Sequence, residues 1–154
     1  MPASYGIGRG GSAPGELLPW ARVVEWLEAA RNYWVCTTRP DGRPHAKPVW
    51  GLWMDGALLF STDPNSVTGR NLAAGSALTA HLESGDEVAI LEGDIERPSD
   101  PGLLARFADA YEAKYAIRVD VSKSATPIIA LRPTKILSWE ESNYPETATR
   151  WDVP

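Results

Sequence analysis

The sequence of 154 residues has few of the residues that build metal sites and disulfides. It contains one cysteine and two histidines. A single cysteine cannot form a disulfide within the chain, and two histidines without paired cysteines lack the spacing of a zinc site. We therefore expect no metal site, although haem ligation by His45 or His81 stays open. Cys36 lies in the apolar run 33–36, which favours a small core residue over a nucleophile.

Positive charge is also scarce, because 15 Lys and Arg stand against 20 Asp and Glu, a net charge of −5. Nucleic acids and anionic membranes attract basic surfaces, so we expect neither as a partner. No apolar run reaches the length of a membrane span. The sequence also lacks a P-loop, an HExxH motif and a secretion signal. We expect a cytoplasmic protein.

The length fits one domain. Residues 1–15 are rich in Gly, Ser and Pro and are predicted to form a flexible N-terminal segment, so residues 16–154 make up the predicted domain. Seven tryptophans are many for this length, and tryptophan often lines sites for flat ligands.

Apolar periodicity and turn signals predict a mainly β fold. Helices are predicted over 19–32, 66–74 and 101–115, the last capped by Ser99 or Asp100. Seven short strands are predicted over 33–38, 44–53, 57–62, 77–83, 87–96, 127–131 and 135–139. Tight turns join neighbouring strands, which favours antiparallel pairing. Closure into a β-barrel with inserted helices would remove the exposed strand edges.

The first candidate site follows the third predicted strand, over residues 60–71. Helix N-termini attract phosphate, and a helix is predicted to begin near Ser66. Arg70 lies four residues later and shares a helix face with Ser66. Hydroxyls that are placed to donate to phosphate belong to Ser61, Thr62, Ser66 and Thr68. The alternative interpretation is a serine cap followed by a solvated arginine.

The second candidate site is the predicted strand at 44–53. Pro48 cannot donate to a sheet ladder, so it marks an edge or a break. Such a break leaves backbone groups free to pair with the polar edge of a flavin ring, and Lys47 reaches an anion or the electron-rich end of that ring. The alternative is an edge strand with outward charges and a core tryptophan at Trp50.

The third candidate is the polar tail at 140–154. Trp151 beside Arg150 is unusual in a polar tail unless the ring packs on something. Its own subunit, a partner subunit and a bound cofactor are the three destinations, and a disordered tail is the alternative.

Together these segments resemble the pyridoxamine 5′-phosphate oxidase-like, or flavin/deazaflavin oxidoreductase, split-barrel family. The resemblance covers residues 18–151 and depends on the order and spacing of many short matches. These are Arg31-Asn32-Tyr33-Trp34, Pro40-Asp41-Gly42-Arg43-Pro44-His45, Pro48-Val49-Trp50-Gly51, Leu59-Phe60-Ser61-Thr62, Ser66 with Arg70-Asn71-Leu72, His81-Leu82-Glu83, Glu92-Gly93, Ala113-Lys114-Tyr115 and Thr149-Arg150-Trp151.

The resemblance implies a homodimer with cofactor grooves at the subunit interface. The residues implied to line the flavin ring are Lys47, Pro48, Val49 and Trp50. Those implied to hold the ribityl chain and phosphate are Ser61, Thr62, Ser66, Arg70 and Asn71. Those implied to close the site, from the same or the opposite subunit, are Trp139, Arg150 and Trp151.

The resemblance also implies an activity. It predicts an FMN-dependent oxidoreductase that acts on a flat, conjugated small molecule, and the flavin explains why no acid–base motif stands out. Two alternatives remain: a reductase that uses coenzyme F420, and a non-catalytic flavin- or haem-binding protein. Relatives often carry Lys or Arg where this chain has Thr68. That departure weakens the predicted phosphate contact and favours FMN over F420, whose acidic tail calls for more basic residues.

Overall fold

A computed structural model of the chain describes residues 8–9, 17–122, 126–144 and 146–153. Within these ranges the α-helices are α1 (Trp20–Ala29), α2 (Val67–Ala73) and α3 (Pro101–Tyr115). The strands are β1 (Gly8–Arg9), β2 (Tyr33–Thr38), β3 (Pro44–Val49), β4 (Gly51–Met54), β5 (Ala57–Ser61), β6 (Leu78–Leu82), β7 (Glu87–Glu96), β8 (Ile128–Glu140) and β9 (Thr149–Asp152). A short 3₁₀ helix follows β8 at Glu141–Asn143.

Seven of these strands form one curled sheet. Its order is β3-β2-β6-β7-β8-β5-β4, and every neighbouring pair is antiparallel. β3 and β4 occupy opposite ends of this order, yet only Trp50 separates them along the chain. The sheet must therefore curl until its two ends meet at Trp50, and we call this meeting point the seam. The mainly β, split-barrel fold with inserted helices is confirmed.

The predicted strand at 44–53 is two strands. Its first part, β3, pairs with β2, and its second part, β4, pairs with β5 at the far end of the sheet. Trp50 lies between them and belongs to neither ladder. The prediction joined these two strands into one, and it missed that the chain crosses here from one end of the sheet to the other.

The break predicted between the strands at 127–131 and 135–139 is wrong, because both belong to one strand, β8. Pro133 lies opposite Gly93, where the register between β7 and β8 shifts. Thr134 is the extra residue, because Lys135 pairs with Glu92 and Pro133 with Gly93. The ladder is interrupted beside it, which accommodates a proline that has no N–H to donate.

The two ends of the chain add two further strands. β9 pairs antiparallel with β8, and β1 pairs parallel with β9. The predicted polar tail at 140–154 therefore contains a strand. The predicted flexible segment at 1–15 lies outside the described residues, except for Gly8–Arg9 in β1.

The core has two parts, one on each face of β5. Leu58 and Phe60 join the cluster inside the curl, which α1 covers with Val23 and Leu27. Ala57 and Leu59 face the other way and join a second cluster beneath α3, whose main aromatic side chains are Phe107, Tyr111 and Tyr115. Each fully buried side chain of this size contributes about 1.5–3 kcal/mol to folding. α3 is thereby fixed on the outside of the β4–β5 end of the sheet.

All three predicted helices are present. The predicted Asp100 cap of α3 is confirmed, since its carboxylate accepts a hydrogen bond from the Leu103 N–H at 2.7 Å. α3 ends where Ala116 adopts a left-handed conformation, φ 58°. α1 is shorter than predicted and ends at Ala29. No helix in the described parts of the chain is long and apolar enough to cross a membrane.

The bulge at Gly93 gives a prediction about stability. A Cβ on Gly93 would lie 1.9 Å from the Arg132 carbonyl oxygen and 2.6 Å from the Pro133 Cα. Replacing Gly93 with alanine should lower the free energy of unfolding by about 1–3 kcal/mol, because backbone must shift. Urea unfolding followed by tryptophan fluorescence measures this loss.

Gly85→Ala is the matched control, since nothing lies within 4 Å of a Cβ there. It should change the stability by less than about 1 kcal/mol. Equal stability of the two variants would contradict the assigned bulge.

Candidate functional site

A groove of about 400 Å³ lies at the seam. It is lined by Asn32, Lys47, Pro48, Val49, Trp50, Ser61 and Tyr111. All four residues predicted to line a flavin ring are among them, and so is Ser61 from the predicted phosphate segment. Asn32 and Tyr111 were missed, because they reach the groove from the end of α1 and from α3.

The backbone at the seam is held by Tyr115. Its hydroxyl accepts a hydrogen bond from the Gly51 N–H at 3.0 Å. The same hydroxyl lies 2.8 Å from the Gly51 carbonyl oxygen and 2.7 Å from that of Arg31. Buried backbone groups need such partners. A Cβ at Gly51 would lie 2.8 Å from the Leu59 carbonyl oxygen, so glycine lets the chain cross here.

An aromatic stack supports the groove wall behind Trp50. The rings of Trp50 and Tyr115 are stacked, with centroids 4.7 Å apart and planes 5° apart. The Tyr111 ring also packs against the Tyr115 ring, with centroids 4.6 Å apart. The guanidinium of Arg31 lies 5.2 Å from the centre of the Trp50 ring. Trp50 is therefore held by α3 and by the end of α1.

Lys114, on α3, contacts residues of α1, β2 and β4. Its Nζ lies 3.1 Å from the Glu28 carbonyl oxygen, 3.3 Å from the Tyr33 hydroxyl and 3.4 Å from the Gly51 carbonyl oxygen. Burial lowers the pKa of Lys114 below its ordinary value. Burial also raises the pKa of the Tyr115 hydroxyl, which stays neutral as a hydrogen-bond partner of the seam.

Polar side chains meet at the Lys47 end of the groove. Lys47 pairs opposite Val35, so its side chain points to the inner face of the curl. Its Nζ donates to Thr62 Oγ1 at 3.2 Å, and Thr62 Oγ1 lies 3.1 Å from Ser66 Oγ. Ser66 Oγ also accepts from the Gly69 N–H at 3.1 Å. We call Lys47, Thr62 and Ser66 the polar triad.

The loop before α2 depends on Gly69. A Cβ on Gly69 would lie 2.3 Å from the Asp63 carbonyl oxygen, so only glycine lets α2 lie this close to the loop. Arg70 is exposed and donates to the Asn65 carbonyl oxygen. Among the residues that the structure describes, no carboxylate forms an ion pair with Lys47 or Arg70. Their positive charge is therefore not neutralised within the site.

Asn71 supports the site from behind. It is buried, and its Nδ2 donates to Thr37 Oγ1 at 2.9 Å, which ties α2 to β2. Thr68 is fully buried, and its hydroxyl has no hydrogen-bond partner. His45 Nε2 is likewise buried without a partner. His45 lies opposite Thr37, so this orphaned nitrogen lies two residues from Lys47 on the same face of β3.

The remaining predicted site residues lie away from the groove of their own chain. Trp151 packs against the inner core, 5.2 Å from the Trp20 ring, and its Nε1 donates to Ser138 Oγ at 3.0 Å. Arg150 forms an ion pair with Asp152 at 2.7 Å. Trp139 contacts Tyr144, with ring centroids 6.0 Å apart. Of the destinations considered for Trp151, its own subunit is the one observed.

The outer face of the sheet carries a row of side chains that runs from β3 to β9, which we call the outer row. In register order, the row consists of Pro48, Trp34, His81, Ile90, Leu137 and Arg150. Pro48 is exposed and the others are half-buried. The Trp34 and His81 rings are stacked within the row, at 6.4 Å. A largely apolar stripe therefore reaches the surface across six strands.

Comparisons with known proteins show which fold and family this chain shares. A conserved hypothetical protein from Mycobacterium tuberculosis aligns with a TM-score of 0.71 and 20% identity, over 85% of this chain and 90% of that one. A protein described as an F420 reductase aligns with a TM-score of 0.55 and 23% identity, over 73% of this chain and 93% of that one. A heme-binding protein from Mycobacterium smegmatis aligns with a TM-score of 0.60 and 20% identity, over 80% of this chain and 57% of that one. The comparison with curated proteins gives no match.

The structural similarities show the shared fold. The family profile described as pyridoxamine 5′-phosphate oxidase matches residues 20–140, which is the whole span from the start of α1 to the end of β8. The chain therefore belongs to the pyridoxamine 5′-phosphate oxidase-like split-barrel family.

Proposed function

We propose that this protein is an FMN-dependent oxidoreductase that acts on a flat, conjugated small molecule. The observation that carries the proposal is the groove at the seam, whose lining includes Lys47, which contacts Thr62 in the polar triad, and Trp50, which stacks on Tyr115. Its volume of about 400 Å³ lies within the range of small-molecule sites.

The residues present suit an FMN. Lys47 carries a charge that no described carboxylate neutralises, and the Thr62 and Ser66 hydroxyls can donate to phosphate. In this proposal the phosphate and ribityl chain are held by Ser61, Thr62, Ser66 and Arg70, with Asn71 in support. The ring is lined by Lys47, Pro48, Val49 and Trp50.

When bound, the flavin supplies the hydride or electron transfer. The chain's own residues bind it, orient the substrate against the ring and exclude water. β3 has no strand paired to its outer edge in the described chain, which leaves backbone groups there for the polar edge of the ring.

Coenzyme F420 is the second candidate. Its acidic tail requires cations at the rim of the groove, and both Arg31 and Arg70 are exposed without a carboxylate partner in the described residues. The F420 reductase with the same fold supports this candidate.

We further propose a homodimer that completes the site. The outer row spans five strand spacings, about 24 Å. A two-fold axis along the strand direction, between His81 and Ile90, would stack the two rows in opposite directions, so that the Arg150 end of each copy lies on the side of the other copy's Pro48 end. Such an interface is self-complementary. It would also bring β8 and β9, which carry Trp139 and Trp151, towards the partner's groove.

The cofactor is tested by titration of the purified protein with FMN, F420 and haem. We expect FMN to bind with a shifted flavin spectrum and partly quenched tryptophan fluorescence, because in this proposal the ring lies beside Trp50. If the protein binds F420 and does not bind FMN, the cofactor would be F420, the second candidate. A Soret band with no flavin binding would make the protein a haem carrier and contradict the proposal.

Substitutions of Lys47 and Arg70 test whether these two side chains bind the cofactor. Lys47→Met and Arg70→Ala should each weaken FMN binding by about 1.5–3 kcal/mol, through loss of a charge-assisted contact. Fluorescence titration measures the affinity. Arg39→Ala removes the same charge from the β2–β3 turn and should bind as the unmodified protein does. Unchanged affinity in Lys47→Met would remove the polar triad from the site.

The dimer is tested at the outer row. Trp34→Glu should convert a dimer to a monomer and weaken FMN binding, because a buried charge without a partner is costly at an interface. Light scattering coupled to gel filtration measures the mass. Ile117, 52% exposed after α3, offers the control Ile117→Glu, which should remain dimeric. A monomeric unmodified protein that binds FMN fully would refute the shared site.

A further inference from the structure

Arg31 differs from most arginines of this acidic protein because it has no carboxylate partner. Six others form ion pairs within the described residues, and Arg31 forms none. Its guanidinium instead lies 5.2 Å from the Trp50 ring centre and 5.7 Å from that of Tyr115. The residue is exposed, so this charge faces solvent at the edge of the aromatic stack.

The position of Arg31 relative to the groove is fixed. Its carbonyl oxygen lies 2.7 Å from the Tyr115 hydroxyl. The next residue, Asn32, lines the groove, as does Trp50 beneath the guanidinium. Lys47 precedes Trp50 by three residues of extended chain, about 10 Å. Arg31 therefore lies at the Trp50 end of the groove, and the polar triad lies at the other.

The surroundings of Arg31 favour an anion from outside the protein. The aromatic rings displace water from one face of the guanidinium, which strengthens its attraction for an anion on the other. Two carboxylates of neighbouring segments interact with other residues: Glu83 accepts from Asn32 Nδ2 at 3.1 Å, and the charge of Glu28 raises the pKa of Lys114 against the larger lowering by burial. Lys114, 5.5 Å from the Tyr115 ring, adds a second positive charge below the stack.

We propose that Arg31 binds an anionic group of the substrate, so that the substrate class is a planar conjugated acid. This rests on the proposed function, in which the polar triad already holds the anionic end of the cofactor. A flat acid whose carboxylate meets Arg31 would extend along the groove towards the ring. A planar guanidinium fork suits a carboxylate better than a lysine does.

The test uses cinnamate and its neutral amide, cinnamamide, as probes of the full-length protein. Binding is read from tryptophan fluorescence in the cofactor-free protein and from the flavin spectrum in the FMN-loaded protein. The unmodified protein should bind cinnamate about tenfold tighter than cinnamamide. Arg31→Gln should abolish that preference and leave cinnamamide affinity unchanged, and Arg31→Lys should retain part of it. Arg39→Gln, with the same loss of net charge, should retain all of it.

Two results would overturn the proposal. They are an unmodified protein without the cinnamate preference and an Arg31→Gln variant that keeps it. If the variant that keeps the preference also loses F420 affinity, Arg31 is assigned to an acidic cofactor tail instead. Failure of FMN and F420 to bind would refute the proposed function alone, since the fluorescence titration without cofactor still decides the role of Arg31.

Discussion

The hydrogen bonds of the Tyr115 hydroxyl, which accepts from the Gly51 N–H and shares its single hydrogen between the Gly51 and Arg31 carbonyl oxygens, are the contacts on which the rest of the site depends. They satisfy the backbone at the single place where the chain crosses from one end of the curled sheet to the other. Without a partner there, two buried polar groups would oppose the crossing. Because Tyr115 belongs to α3, the helix sets both the position of the seam and, through the ring stack, that of Trp50.

The charges around the seam follow a consistent pattern. The protein is acidic overall, and most described arginines are neutralised by carboxylates at the surface. The cations that remain without ion pairs include Lys47 and Arg70 near one end of the groove and Arg31 at the other. Such surface ion pairs contribute little to stability. Lys47, Arg70 and Arg31, which form no such pair within the described residues, keep their positive charge where an anionic ligand is proposed to lie.

Local patterns in the sequence predicted what is local in the structure. The Asp100 cap predicted the start of α3, and the proline and glycine turns separated most strands correctly. Long-range packing decided the rest. Arg132-Pro133-Thr134 reads as a turn, yet the bulge opposite Gly93 keeps it inside β8. Tyr111 lines the groove and Tyr115 holds the seam from a helix distant in the sequence, since Tyr115 follows Gly51 by 64 residues, and no local signal indicates either contact. The tail reads as polar, and only pairing with β8 makes it a strand.

A crystal structure of the protein soaked with FMN tests the central claim most directly. The account predicts density for the flavin ring along Pro48–Trp50, with the phosphate within hydrogen-bond distance of the Thr62 and Ser66 hydroxyls. Another cavity, of about 570 Å³ beside the end of α2, is lined by Leu72, Ser76 and Ile95 among others. A flavin bound there, with the seam unaltered, would contradict the account.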